Sequence, residues 1–221
     1  RLSGCGCGFA PTGEVKGRPL DPLRAIMHRI PGAMSLARRS RRLFSPRQRQ
    51  IEALIARDDI ALFQPFPTTS ADRYPTLFDA LAEGLATVPA PHILSFGCAS
   101  GEEVRALRQR LPTAHITGID PNARAIAQAS KADPRHAADY IIADRPPPGE
   151  IYDAILALAV FRDGRLGRDN PHKSCAEILP FAKVEAGLTR LDAALRNGGY
   201  LAIANANFRL SDMAFAGNYT S

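Results

Sequence analysis

The sequence predicts an α/β fold, a three-layer sandwich whose parallel sheet is ordered 3-2-1-4-5. Three observations carry that prediction. Residues 92–96 are an apolar run of strand length, broken by Gly97-Cys-Ala-Ser-Gly101 and followed by a helix-spaced stretch at 102–111, with Val104, Leu107 and Leu111 on one side. A second apolar run, 114–119, ends in Asp120. Residues 152–160 are apolar almost throughout, as a central parallel strand covered on both faces must be. Crossovers between such strands are right-handed.

Length and charge bound the rest. The chain has 221 residues, enough for one domain of about 150 and an extension. An apolar content of 45% supplies a core. No apolar run approaches the roughly 18 residues of a membrane-spanning helix, and no secretory signal is visible. Residues 1–57 hold 12 Lys and Arg against 3 Asp and Glu, while the remainder holds 16 against 19. The net charge of +6 therefore belongs to the N-terminal part. Cys5 and Cys7 form an isolated C-x-C, and Cys98 and Cys175 stand alone, so the four are read as reduced thiols of a cytoplasmic protein without a metal site.

In chain order, residues 1–20 read as a flexible tail with five glycines and two prolines. Residues 21–67 read as a basic helical extension. Its first helix, 22–30, carries Leu23, Ile26, Met27 and Ile30 at helical spacing, and Pro31-Gly32 ends it. A second, 34–44, carries Arg38, Arg39, Arg41 and Arg42. Ser45-Pro46 opens a third, to about residue 57, with Ile51, Leu54 and Ile55 as its apolar stripe. These arginines are read as the solvated side of packed helices. Nucleic acid is not the expected partner, because no aromatic residues interleave with the charges. Residues 58–67 form a loop with apolar anchors Ile60, Leu62, Phe63 and Phe66, and 72–87 a helix with Leu77, Leu81 and Leu85 inward. The domain proper spans 68–221.

The third strand is 139–143, ending in Asp144, and Pro146-Pro-Pro148 makes a stiff loop after it. Residues 162–174 overhang the carboxyl edge of the sheet and include Asp163, Asp169, His172 and Lys173; His172 is the best general-base candidate by residue type. Residues 177–196 read as an amphipathic helix stopped by Asn197-Gly198-Gly199, and 200–204 as the fifth strand. A sixth and seventh strand are not visible after it, so the chain is read as ending early or as a fragment.

The glycine turn points to a ribose-bearing ligand. Gly97 and Gly101 allow a sharp turn and close approach to main-chain N–H groups, and Asp120, 19 residues after Gly101, suits ribose hydroxyls. The turn is neither G-x-G-x-x-G nor a P-loop, which disfavours a pyrophosphate ligand. Phe96-Gly-Cys-Ala-Ser-Gly-Glu-Glu103 resembles the first motif of the Rossmann-like class I S-adenosylmethionine-dependent methyltransferases. Within that superfamily it is similar to the chemotaxis receptor glutamate methyltransferases, and the resemblance covers about residues 68–205. Thr69, Arg73 and Phe78 match the family's T-x-x-x-R-x-x-x-x-F spacing, though its two aromatics before the arginine are replaced by Ala71 and Asp72. Where the family carries Arg-Asn after its fourth strand, Leu158 and Ala159 stand.

The resemblance implies S-adenosylmethionine as cofactor. It implies Arg73 at the methionyl carboxylate, Asp120 at the ribose and Asp144 at the adenine amino group. Further cofactor contacts are expected from Thr69, Phe96, Gly97, Cys98, Ala99, Ser100, Gly101, Glu102, Ile119, Asn122, Ala143, Ala157 and Leu158. The implied activity is methyl transfer, with a small molecule as the expected acceptor. Three alternatives stand beside it: a protein carboxyl methyltransferase of the chemotaxis type, a methyltransferase-like binding module without turnover, and a dinucleotide-dependent oxidoreductase.

Overall fold

The computed structural model describes residues 45–67, 69–135, 137–163, 166 and 174–220. The expected tail, the two helices at 22–44 with their four arginines, and Cys5, Cys7, Asp169, His172 and Lys173 lie outside the described residues. The chain divides into two compact units, Arg1–Arg49 and Gln50–Ser221, and the sheet belongs to the second.

Helix α1, Pro46–Ile55, begins as its sequence predicts, with the Gln48 N–H donating to the Ser45 hydroxyl at 3.4 Å. Ile51 and Leu54 are buried, whereas Ile55 is 44% exposed, so the stripe is narrower than its composition suggests. Helix α2, Pro75–Gly84, starts on a proline that presets its first turn. Then follow β1, His92–Phe96; α3, Glu102–Arg110; β2, His115–Asp120; α4, Ala123–Ala132; β3, Asp139–Ile142; β4, Tyr152–Leu158; α5, Phe181–Ala193; and β5, Leu195–Ala204.

Among the described residues the strands form one sheet in the order β3-β2-β1-β4-β5, parallel throughout, as predicted. β4 is buried at every position, which explains its nearly unbroken apolar sequence. One face packs Phe78 and Leu81 of α2, Val104 and Leu107 of α3 and Ile126 of α4 against Ile93, Ile116 and Leu156. The other packs Val184, Leu188 and Leu191 of α5 against Leu94, Phe96, Ile155 and Ala157.

Several boundaries differ from expectation: α2 spans Pro75–Gly84 rather than 72–87, β5 starts at Leu195 rather than 200, and both ends of α5 move. α5 starts at Phe181, not 177, because Pro180 stands at its N-cap and the Ile178 and Leu179 N–H groups donate to the Cys175 carbonyl in a separate turn. It also ends earlier, at Ala193, and Asn197-Gly198-Gly199 is not its stop. These residues lie inside β5 as a bulge: Tyr152 pairs with Leu195 and Ala154 with Tyr200, so five residues of β5 span two of β4. Arg196, on the excursion, pairs with the buried Asp153.

Candidate cofactor site

The turn after β1 is shaped by what it meets. Gly97 has φ +75°, and a Cβ there would lie 2.5 Å from Cγ2 of Val160 at the end of β4. Only glycine fits both the backbone and the space. The register Phe96↔Ile119 brings the turn across the end of β2, where the Gly97 and Cys98 N–H groups both donate to the Ile119 carbonyl, at 2.8 and 3.0 Å. The Ala99 N–H donates to Asp120 Oδ2 at 3.0 Å and the Gly101 N–H to the Cys98 carbonyl at 2.9 Å. The sequence suggested that a ligand would approach these N–H groups. The structure corrects this: the four are already engaged within the fold, and the turn offers a ligand its small side chains and Cα edges. A turn of this kind suits a ligand without phosphate at that point.

Asp120 holds the second wall. Its Oδ1 accepts from the Asn122 N–H at 2.8 Å while Oδ2 takes Ala99. Burial pushes its carboxyl above the usual carboxylate range, and the two N–H donors pull it back. Asn122 caps α4, its side-chain oxygen accepting from the Arg124 and Ala125 N–H groups at 3.1 and 3.2 Å. Both residues sit at the carboxyl end of β2, where open parallel sheets bind ligands.

A cleft of about 640 Å³, mouth included, opens at this edge. Its floor is Phe96, Gly97 and Ala99 after β1, Asp120 to Asn122 after β2, Ala143 and Asp144 after β3, and Leu158 to Val160 at β4. Its roof is residues 61–67, a strap running from α1 towards Thr69. Phe63 anchors the strap: its ring is 4.8 Å from Phe161 and 6.2 Å from Phe96, and it lies so close over α5 that a Cβ on Gly187 would be 2.4 Å away.

A smaller recess adjoins the cleft. Thr69, Ser70, Arg73, Tyr74, Phe78 and Glu103 line it, and it shares Gly97, Ala99 and Leu158 with the cleft. The Arg73 guanidinium is exposed and lies 5.6 Å from the Tyr74 ring centre. Glu103 is partly buried; desolvation pushes its carboxyl up to about 7, against a 2.7 Å hydrogen bond from the Ser95 hydroxyl that pulls the other way. The site therefore has two compartments meeting at one turn. One offers a carboxylate beside an amide and apolar walls. The other offers a cation and a carboxylic acid.

Residues 94–201 match the family model of a methyltransferase domain. That match runs from β1 into β5, so it touches all five strands. Trans-aconitate 2-methyltransferase of Klebsiella pneumoniae (strain 342) is 37% identical over 81 residues, which are 36% of this chain and 31% of that protein. The chain thus matches about a third of the length of that relative. Among solved structures, the plantazolicin methyltransferase BpumL in complex with a monoazolic desmethylPZN analog and SAH is 22% identical, over 80% of this chain and 59% of that one, at a TM-score of 0.46. Coclaurine N-methyltransferase bound to N-methylheliamine and SAH is 15% identical, over 84% and 58%, at a TM-score of 0.45.

Within residues 94–201 and the segment before them, the structure sorts the expected site residues into three groups. Phe96, Gly97, Ala99, Asp120, Asn122, Ala143, Asp144 and Leu158 line the cleft. Thr69, Arg73 and Cys98 line the recess, with Gly97, Ala99 and Leu158 common to both. Ser100, Gly101, Glu102, Ile119 and Ala157 line neither. Ile119 serves through its carbonyl, Ala157 is core, and Gly101 packs against Tyr140. Glu102 accepts from the Ser100 hydroxyl and pairs with Arg105 on the first turn of α3. The sequence reading chose Glu102 and passed over Glu103. Helical spacing carried the missing signal, since Glu103 lies four residues before the buried Leu107 and shares its inward side. The strap residues Gln64, Pro65 and Pro67 were also passed over; nothing periodic marks them.

Proposed function

We propose that the cleft and recess together bind S-adenosylmethionine, and that the chain transfers its methyl group to a small-molecule acceptor. The observation carrying this reading is the joined pair of compartments. A nucleoside needs a hydrogen-bond acceptor at the ribose and an apolar slot for the base, and the cleft provides Asp120 and the walls around Asn122, Ala143 and the strap. A zwitterionic amino acid needs an anion for its ammonium and a cation for its carboxylate, and the recess provides Glu103 and Arg73. A ligand carrying both groups, joined in the middle, spans Gly97, Ala99 and Leu158.

The cofactor, when bound, supplies an activated methyl group with its own leaving group. The residues of this chain bind and orient. Asp120 holds the ribose, Glu103 and Arg73 fix the other end, and the strap and Phe63 keep water from the cleft. Rate enhancement then comes mainly from placing the acceptor in line, which needs no base for a carboxylate or thiolate acceptor. His172 is the candidate base for any other acceptor. The tip of β4 presents Leu158, Ala159 and Val160, apolar groups that select by shape. A small carboxylic acid as acceptor is compatible with the relative named above. The same apolar tip, in place of Arg-Asn, is what argues against a receptor glutamate.

A ligand panel read by thermal unfolding tests the reading, because a ligand bound only by the folded state raises Tm. S-adenosylhomocysteine should raise Tm, whereas NAD⁺ and ATP should not. A rise with NAD⁺ and none with S-adenosylhomocysteine would move the oxidoreductase reading ahead.

A further inference from the structure

The carboxylate of Asp144 faces the strap. Its Oδ2 accepts from the Ala61 N–H at 2.7 Å, a contact across 83 residues of sequence. Arg145 grips the same carboxylate with both arms, Nε to Oδ1 at 2.8 Å and a terminal nitrogen to Oδ2 at 3.0 Å. Oδ2 therefore has both lone pairs filled, and the side chain is 10% exposed. An adenine amino group would have to compete for what remains. The strap itself is held at two points of different chemistry: a charge-assisted bond at Ala61, and the ring of Phe63 wedged against Phe161 and Gly187. Beyond them Gln64 to Pro67 roof the cleft, stiffened by two prolines.

We propose that Asp144 is a positioning residue that clasps the strap over the cofactor cleft, and that opening of this clasp sets the rate at which cofactor and product exchange. The inference rests on the cofactor reading above and gives Asp144 a different part from adenine recognition. The polar clasp is the weaker hold. Phe63 stays buried by its own apolar contacts, while the Ala61 bond can exchange for water at the cleft mouth. Arg145, half exposed, keeps the carboxylate ionised and aimed when Ala61 departs. The strap then swings about Phe63 and closes again without repacking the core.

Three variants separate the clasp from adenine recognition. Asp144→Ala removes the acceptor. Ala61→Pro removes only the N–H donor and leaves Asp144 paired with Arg145. Asp144→Asn keeps an acceptor oxygen and should restore part of the effect. Release rates are measured by stopped flow for S-adenosylhomocysteine and for its deaminated analogue, S-inosylhomocysteine. Hydrogen exchange at the Leu62, Phe63, Gln64 and Phe66 amides is followed without ligand. The clasp predicts that Asp144→Ala and Ala61→Pro speed release of both ligands by the same factor, about tenfold, the worth of one charge-assisted bond. Protection of the strap amides falls in parallel, with Asp144→Asn intermediate. The proposal is overturned if Asp144→Ala weakens only the adenine-bearing ligand while Ala61→Pro changes nothing. It is equally overturned if strap exchange is unaltered in Asp144→Ala. Should the wild-type chain bind neither ligand, the cofactor reading fails, and the exchange data still decide whether Asp144 holds the strap.

Discussion

The Ser95 hydroxyl donates a 2.7 Å hydrogen bond to the Glu103 carboxyl, tying the tip of β1 to the first turn of α3 directly beneath the glycine turn. The bond fixes a partly buried acid beside the point where cleft and recess meet. Burial raises its pKa from 4.5 to about 7, so the free protein holds it partly protonated at neutral pH.

Cofactor affinity should consequently rise with pH. The ionised form is the one that pairs with an ammonium group, so Kd for S-adenosylhomocysteine should fall from pH 6 to pH 8. Glu103→Gln should flatten the profile and bind roughly tenfold more weakly at pH 8, the loss expected for a charged hydrogen bond. The stability of the free protein should move the other way. Between about 4.5 and 7 the folded chain binds the extra proton, so its stability is fullest below 4.5 and declines as pH rises through 7. Glu103→Gln should lessen that decline. Calorimetry at several pH values reads both effects, and parallel profiles for wild type and variant would contradict them.

Asp120→Ala should weaken cofactor binding at least about tenfold, through loss of a charge-assisted contact. Stability should fall as well, since Ala99 and Asn122 lose the acceptor of their N–H groups. An unpaired buried donor costs about 1–3 kcal/mol, so Tm should drop by several degrees. An unchanged Kd would remove Asp120 from the site.

Much of the fold was legible because β1 and β4 are dense apolar runs and the helices packed on them are periodic. The strand order followed from the succession of α/β units with candidate ligand residues at successive strand tips. Asp120 was legible for the same reason: it is the first carboxylate after a short apolar strand. Asn197-Gly198-Gly199 was misread because a glycine pair signals a helix stop and a β-bulge equally well. The strap was read as a loop with apolar anchors, of which Phe63 is the one fully buried. Its role as a roof depends on Asp144 and Gly187, 83 and 124 residues away from Ala61 and Phe63, and no local pattern encodes such pairings.

Gly97→Ala should destabilise the protein by about 2 kcal/mol or more, from a strained positive φ together with the clash against Val160. Val160→Ala opens the space without relieving the backbone. In a double-mutant cycle the pair should therefore be more stable than the sum of the single changes, by about 1 kcal/mol. Strict additivity by chemical denaturation would show that Val160 does not fill the space over Gly97.

The central claim is that this edge of the sheet holds S-adenosylmethionine. Isothermal titration of S-adenosylhomocysteine into the full chain, with its cooperative unfolding verified in the same sample, tests it most directly. The account predicts saturable one-site binding that Asp120→Ala and Glu103→Gln both weaken at pH 8. A folded protein that shows no binding at millimolar ligand would contradict it.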